Sequence, residues 1–143
     1  MAATPAGRNP GGRMLPVTDD LDTGPYFTAA REHRLVIQRC SGCDAVLHMP
    51  RAYCHHCGSW DTRWVDVSGR ATLYTWSAVT HQVHPAHPVP YTVVVVKLDD
   101  LDVNLIGSVP GTPEMRIGQP MEVWYDEVGD DVIMPNWRPL SYT

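Results

Sequence analysis

A chain of 143 residues, 43% apolar, has the length for one ordinary domain or for a mini-domain joined to a small one. Its 11 basic and 16 acidic residues leave a formal charge of −5, which disfavours a nucleic-acid partner. The longest aliphatic run, residues 93–96, is far too short to cross a membrane, and the Gly- and Pro-rich start holds no apolar signal segment, so a reducing cytoplasm is the expected location.

Residues 1–20 read as a disordered tail dominated by Ala, Gly, Pro and Arg. Residues 21–61 read as a helix plus a metal ribbon. The helix is expected over 23–34, with Thr23 as its cap and Pro25 in the first turn, where a missing amide is harmless. Tyr26, Phe27 and Ala30 recur at helical spacing, a weak apolar stripe that either covers the domain or meets a partner. Residues 35–39 form the expected first ribbon strand, Leu47 and Met49 lie on the return path, and Pro50 introduces the second half of the ribbon.

The remainder, 62–143, reads as β structure. Strands are expected at 62–67, 70–80, 91–98, 103–109, 121–125 and 132–137, with a His- and Pro-rich loop at 81–90 and a short turn at 114–118. With the ribbon set aside this leaves about five main strands and no long helix between them, which fits a five-stranded OB-type barrel; a small SH3-like barrel has a similar count. The fold class expected is therefore mainly β: an N-terminal helix and rubredoxin-like ribbon, then an OB-fold barrel.

The strongest chemical signal is Cys40-x2-Cys43, ten residues, then Cys54-x2-Cys57. Each pair brings two thiolates out of one tight turn, and two facing turns make a sulfur tetrahedron that suits Zn²⁺. Gly58 follows the second pair and Asp44 holds the same place after the first; Asp tolerates the left-handed conformation such a turn needs. Iron accepts the same four thiolates, so the spacing admits both metals. Four sulfurs close the coordination shell, so the metal's role is structural. His48, His55 and His56 lie nearby, but no ligand is missing for them to replace.

Other clusters are weaker. His81, His84 and His87 share a loop without a carboxylate to orient them; if that loop lines a partner's active site, His81 is the first contact expected. The acidic turns at 99–102 and 126–131 lack the register of a calcium loop. Trp64, Tyr74, Trp76 and Tyr91 offer stacking faces for single-stranded nucleic acid, the alternative function, but Arg70 and Lys97 are the only basic residues from 64 to 115. A small enzyme built on the His loop is a third reading, without acid–base pairing to support it. Arg31, Arg34, Arg39 and Arg51 place positive charge around the ribbon.

Taken in order, these features resemble the acyl-CoA-associated zinc-ribbon/OB-fold family, long called a domain of unknown function. The resemblance rests on Arg34-Leu35, Ile37-Gln38-Arg39-Cys40-x2-Cys43, Pro50-Arg51-x2-Cys54-x2-Cys57-Gly58, Gly69, the strand 74–80, Pro90-Tyr91, Ile117-Gly118-Gln119-Pro120-Met121 and Pro135-x-Trp137-Arg138-Pro139. It departs at Asp44 and at Trp137, where Phe is common. The resemblance implies a non-catalytic accessory subunit that stabilises a thiolase, a lipid-transfer-protein-like thiolase or aldolase of steroid side-chain breakdown, or an acyltransferase, and helps pass acyl-CoA intermediates. On that reading Tyr26, Phe27, Ala30 and Trp76 are the expected partner contacts, and Arg31, Arg34, Arg39 and Arg51 the expected contacts to CoA phosphates.

Overall fold

The computed structural model describes residues 12–140; residues 1–11 of the expected tail lie outside the described residues. The nearer part of that tail is tied to the fold, which corrects its expected end at residue 20. Arg13 Nη1 sits 3.3 Å from Asp126 Oδ2, and Leu15 Cδ1 lies only 2.9 Å from where a Cβ on Gly129 would stand.

Helix α1 spans Gly24–Arg31, with Pro25 in its first turn. Thr23 does not cap it, contrary to expectation. Its hydroxyl donates to Asp20 Oδ2, while Asp20 Oδ1 accepts the amides of Asp22 and Thr23 at 2.9 and 2.6 Å. Asp20 thus anchors the approach to the helix, and the Thr23 hydroxyl is the main reason its carboxyl titrates below the usual range. The helix also stops short of residue 34: His33 takes a left-handed φ of 55°, and Arg34 leads directly into a strand.

Strand β1, Leu35–Cys40, pairs antiparallel with β2, Thr62–Val67, through six consecutive residue pairs. The strand expected at 62–67 as part of the barrel is therefore hydrogen-bonded to the ribbon strand, because the metal-binding excursion between them returns the chain alongside β1. Both faces of β1 are covered. Leu35 and Ile37 enter the barrel core, and Val36 and Gln38, buried on the opposite face by the two-residue period, lie on the side away from it. Gln38 replaces a missing ladder there: its side-chain oxygen accepts the Arg51 amide and its nitrogen donates to the Arg51 carbonyl, both at 2.9 Å.

The second sheet holds β3 (Arg70–Val79), β4 (Tyr91–Leu98), β5 (Asn104–Pro110), β6 (Pro120–Gly129) and β7 (Val132–Pro139), all antiparallel in the order β5-β4-β3-β6-β7. Only Ser68 and Gly69 separate β2 from β3, and the Gly69 carbonyl accepts the Val123 amide at 2.9 Å. Strand β6 continues through the acidic stretch expected to be a turn, because Asp126 and Glu127 still pair with Met134 and Ile133; the reversal falls later, at Asp130-Asp131.

The outer strands β5 and β7 meet at Gly107, and this closes the barrel. A Cβ at Gly107 would stand 2.6 Å from Asn136 Oδ1, closer than real side-chain carbons approach, and a tight 3.0 Å from the Trp137 nitrogen. Absence of a side chain is what allows the contact. Asn136 Oδ1 then accepts the amides of Ser108 and Trp137 at 2.9 and 2.8 Å, clasping one strand to the other. Trp137 fills the core behind the clasp with Leu73, Val94, Val96 and Met121. A five-stranded sheet in this order, closed between its outer strands, is an OB-fold.

Candidate functional site

The two Cys turns face each other as their spacing predicts. Cys40 Sγ lies 3.5 Å from Cys57 Sγ, Cys43 Sγ lies 3.7 Å from Cys54 Sγ, and all four sulfurs fall within 4.8 Å of one another. Four sulfurs around Zn²⁺ at its usual bond length stand about 3.8 Å apart, so the set fits the ion. The two turns are near copies. Cys40 Sγ accepts the amides of Gly42 and Cys43 at 3.2 and 3.4 Å; Cys54 Sγ accepts those of His56 and Cys57 at 3.3 and 3.4 Å. These amides favour the thiolate. The Cys43 amide, joined by that of Gly42, brings the Cys40 thiol down to about 7, and the Cys57 amide lowers Cys54 in the same way. The residues after each turn, Asp44 and Gly58, both adopt left-handed φ, at 64° and 78°. Asp44 justifies its place further by pairing with Arg39 at 2.9 Å and with Arg63.

Cys40 and Cys54 are buried with Leu47, while Cys43 and Cys57 are exposed. No other group of three or more His, Cys, Asp or Glu ligands converges among the described residues. His84 and His87 have ring centroids 5.9 Å apart, and His81 lies exposed in the same loop, outside that pair. His48 is exposed like His55 and His56, and partial desolvation lowers its pKa.

The arginines around the ribbon do not form one cluster. Arg31 pairs with Asp131, Arg34 with Glu32 and Asp66, and Arg39 with Asp44. Arg34 and Arg39 stand at opposite ends of β1, roughly 16 Å apart along an extended strand. Arg51 is held by its backbone to Gln38. Arg31 and Arg34 share a depression, an open hollow of about 630 Å³ that also includes Trp64 and Asp66.

Of the residues expected to meet a partner, Ala30 is fully buried beneath α1 and is removed from that role by its packing. Tyr26 and Phe27 are half-buried and touch edge to face, with ring centroids 5.4 Å apart. They line an apolar groove of about 260 Å³ with Trp64, Met49, Pro50 and Ile106, where helix, ribbon and barrel meet. Burial, with Tyr125 adding to it, pushes the Tyr26 phenol up to about 12 from its ordinary 10.0. The folded state therefore holds this proton longer than the unfolded chain does. The Tyr26 contribution to stability is complete below pH 10 and declines as pH rises toward 12. A near-ultraviolet titration should show late tyrosine ionisation reaching into this window, and Tyr26→Phe should remove the Tyr26 part of that signal together with its share of the alkaline loss of stability.

Trp76 is 38% exposed on β3, beside Tyr74 at 57%. A second aromatic pair escaped the sequence reading: Tyr53 and Trp60, ring centroids 5.4 Å apart, stand exposed on the ribbon. Their signal was their place, since aromatics flanking a metal turn this small have little core to enter. Among the described residues, no helix is long and apolar enough to cross a membrane.

Known proteins share this arrangement. Residues 27–61 match the family profile described as ChsH2, rubredoxin-like zinc ribbon domain, and residues 64–126 match ChsH2, C-terminal OB-fold domain. The chain is 36% identical over 121 residues to a "Probable enoyl-CoA hydratase alpha subunit" of Thermomonospora curvata, covering 82% of this chain and 37% of that protein. The chain thus spans little more than a third of the length of that curated relative. Among solved structures, a chain of an "Ltp2-ChsH2(DUF35) aldolase" superposes with a TM-score of 0.77 at 32% identity, over 87% of this chain and 98% of that one. A DUF35-family protein of unknown function from Sulfolobus solfataricus, at 14% identity and a TM-score of 0.54 over 70% of this chain and 75% of that one, shares the fold.

Proposed function

We propose that this chain, which belongs to the ChsH2 family of zinc-ribbon/OB-fold proteins, is a non-catalytic accessory subunit of a thiolase-like acyl-CoA enzyme, of the thiolase or steroid side-chain retro-aldolase type. The observation that carries the reading is the match to nearly the whole of one chain of an Ltp2–ChsH2(DUF35) aldolase. The site agrees with it. The four thiolates form a closed structural set, and the exposed aromatics Trp60, Tyr74 and Trp76 suit protein contact better than chemistry. A cytoplasmic location belongs to the same proposal.

The subunit stabilises its enzyme and helps hold the acyl-CoA intermediate. For the CoA phosphates, Arg31 and Arg34 are the favoured pair of the four arginines, because they share one hollow with the flat indole of Trp64. A phosphate entering there exchanges their present ion pairs with Asp131, Glu32 and Asp66 for its own charge. In the reconstituted complex, Arg31→Ala with Arg34→Ala should weaken acyl-CoA binding on the order of tenfold to a hundredfold, as expected for lost charge-assisted hydrogen bonds, while Arg51→Ala should leave it unchanged. Calorimetric titration with an acyl-CoA reads this directly; equal affinity in the double variant discards the phosphate contact. The accessory role itself is tested by copurification with a thiolase-like subunit, whose activity should depend on this chain.

A further inference from the structure

Strand β3 pairs with β4 from Ala71 to Val79, but with β6 only through Arg70–Thr72. Leu73 ends that second side by exchanging backbone bonds with Gly118 and Gln119, both at 2.9 Å. The register shifts between Leu73 and Thr75, and beyond it the strand leaves the core: residues 74–78 are all exposed. From Thr75 to Val79 the second edge of β3 has no strand beside it among the described residues.

An open edge of this kind invites pairing, and soluble proteins ordinarily guard it with Lys, Pro or an inward charge. Here the guard is missing. No Asp, Glu, Lys or Arg occurs from residue 71 to 96, in a chain that carries 11 basic and 16 acidic residues. Exposed Tyr74 and Trp76 flank the edge instead. Depletion of charge with enrichment of Tyr and Trp is the composition of an interface core.

We infer that the free edge of β3 at residues 75–79 receives an extended, uncharged segment of the enzyme subunit as an added strand; this rests on the accessory-subunit reading above. Electrostatics select the occupant. A charged segment would lose its hydration against a surface that offers no counter-charge, whereas an uncharged one gains backbone hydrogen bonds at no such penalty. Length selects it too. The edge is five residues long, roughly 16 Å, and is stopped at Leu73 by Gly118-Gln119. A short extended segment fits. A second copy of this hairpin, paired antiparallel about Ser77, would drive its own loop at 80–90 into that stop.

Hydrogen exchange on the isolated chain and on its complex with a copurifying thiolase-like subunit tests this. Those amides of 75–79 that point away from β4 should exchange fast in the isolated chain and be slowed on the order of tenfold or more in the complex, with the amides bonded to β4 and those of Arg70–Thr72 unchanged. Trp76→Lys and Ser77→Lys should each weaken the complex on the order of tenfold or more, without altering zinc content or thermal midpoint. A complex that leaves 75–79 unprotected and tolerates both lysines overturns the edge assignment and leaves the accessory role standing. Absence of a complex with any thiolase-like subunit overturns both. A concentration-dependent dimer of the isolated chain that Trp76→Lys dissociates gives the edge to a second copy and likewise overturns the inference.

Discussion

Replacing Cys40 with Ser should abolish stoichiometric zinc binding and unfold the ribbon. Cys40 is a fully buried ligand whose sulfur accepts two amides; a serine hydroxyl reaches those amides less well and binds the metal far less readily than a thiolate. The ribbon has little apolar core to hold the two Cys turns together, since its buried cluster is Cys40, Leu47 and Cys54. Structural zinc supplies on the order of 10–16 kcal/mol of apparent binding energy in finger peptides, more than so small a cluster contributes by apolar burial. The damage should not stop at the ribbon, because Leu35 and Ile37 of β1 belong to the barrel core. Metal analysis and thermal unfolding check the outcome: less than one zinc per chain, and a lowered midpoint for the whole molecule. Strong chelation of the wild type should give the same state. A variant that loses the metal yet unfolds at the wild-type midpoint would show that the ribbon is held by something else.

The second large effect is expected at Gly107. Gly107→Val places a branched side chain where even a Cβ would lie 2.6 Å from Asn136 Oδ1 and 3.0 Å from the Trp137 nitrogen. The Asn136 side chain must swing away and β5 and β7 must shift apart locally, so the Ser108 and Trp137 amides lose their shared acceptor. Overpacking and the lost hydrogen bonds together are expected to destabilise by about 3–5 kcal/mol. Gly111 provides the control. It has a left-handed φ of 71° but nothing within 4 Å of a Cβ, so Gly111→Ala should cost only about 1 kcal/mol. Urea unfolding of both variants reads the difference. Equal losses would mean that the barrel is not closed through this contact.

Much of this was legible from the sequence because the relevant signals are local. Two CxxC pairs carry their own geometry, and Asp44 does adopt the left-handed turn that its position implies. The β-branched run at 91–98 appears as β4 with its expected bounds. Signals that depend on distant partners were harder to see. The hydroxyl of Thr23 resembles a cap until Asp20 is seen to claim it. Asp126 and Glu127 have turn chemistry but lie in a ladder opposite Met134 and Ile133. Gln38, an ordinary polar residue in a strand, turns out to bind the backbone of Arg51. At the candidate site the ligands were visible, whereas the grouping of the arginines was not: proximity in sequence put four together, and strand direction leaves two in one hollow.

Only Ser68 and Gly69 lie between the ribbon sheet and β3, and that short link is itself bonded to Val123, which leaves little free chain at the waist. Ribbon and barrel are thereby expected to move together, so that a neighbour gripping either end would also set the orientation of the other.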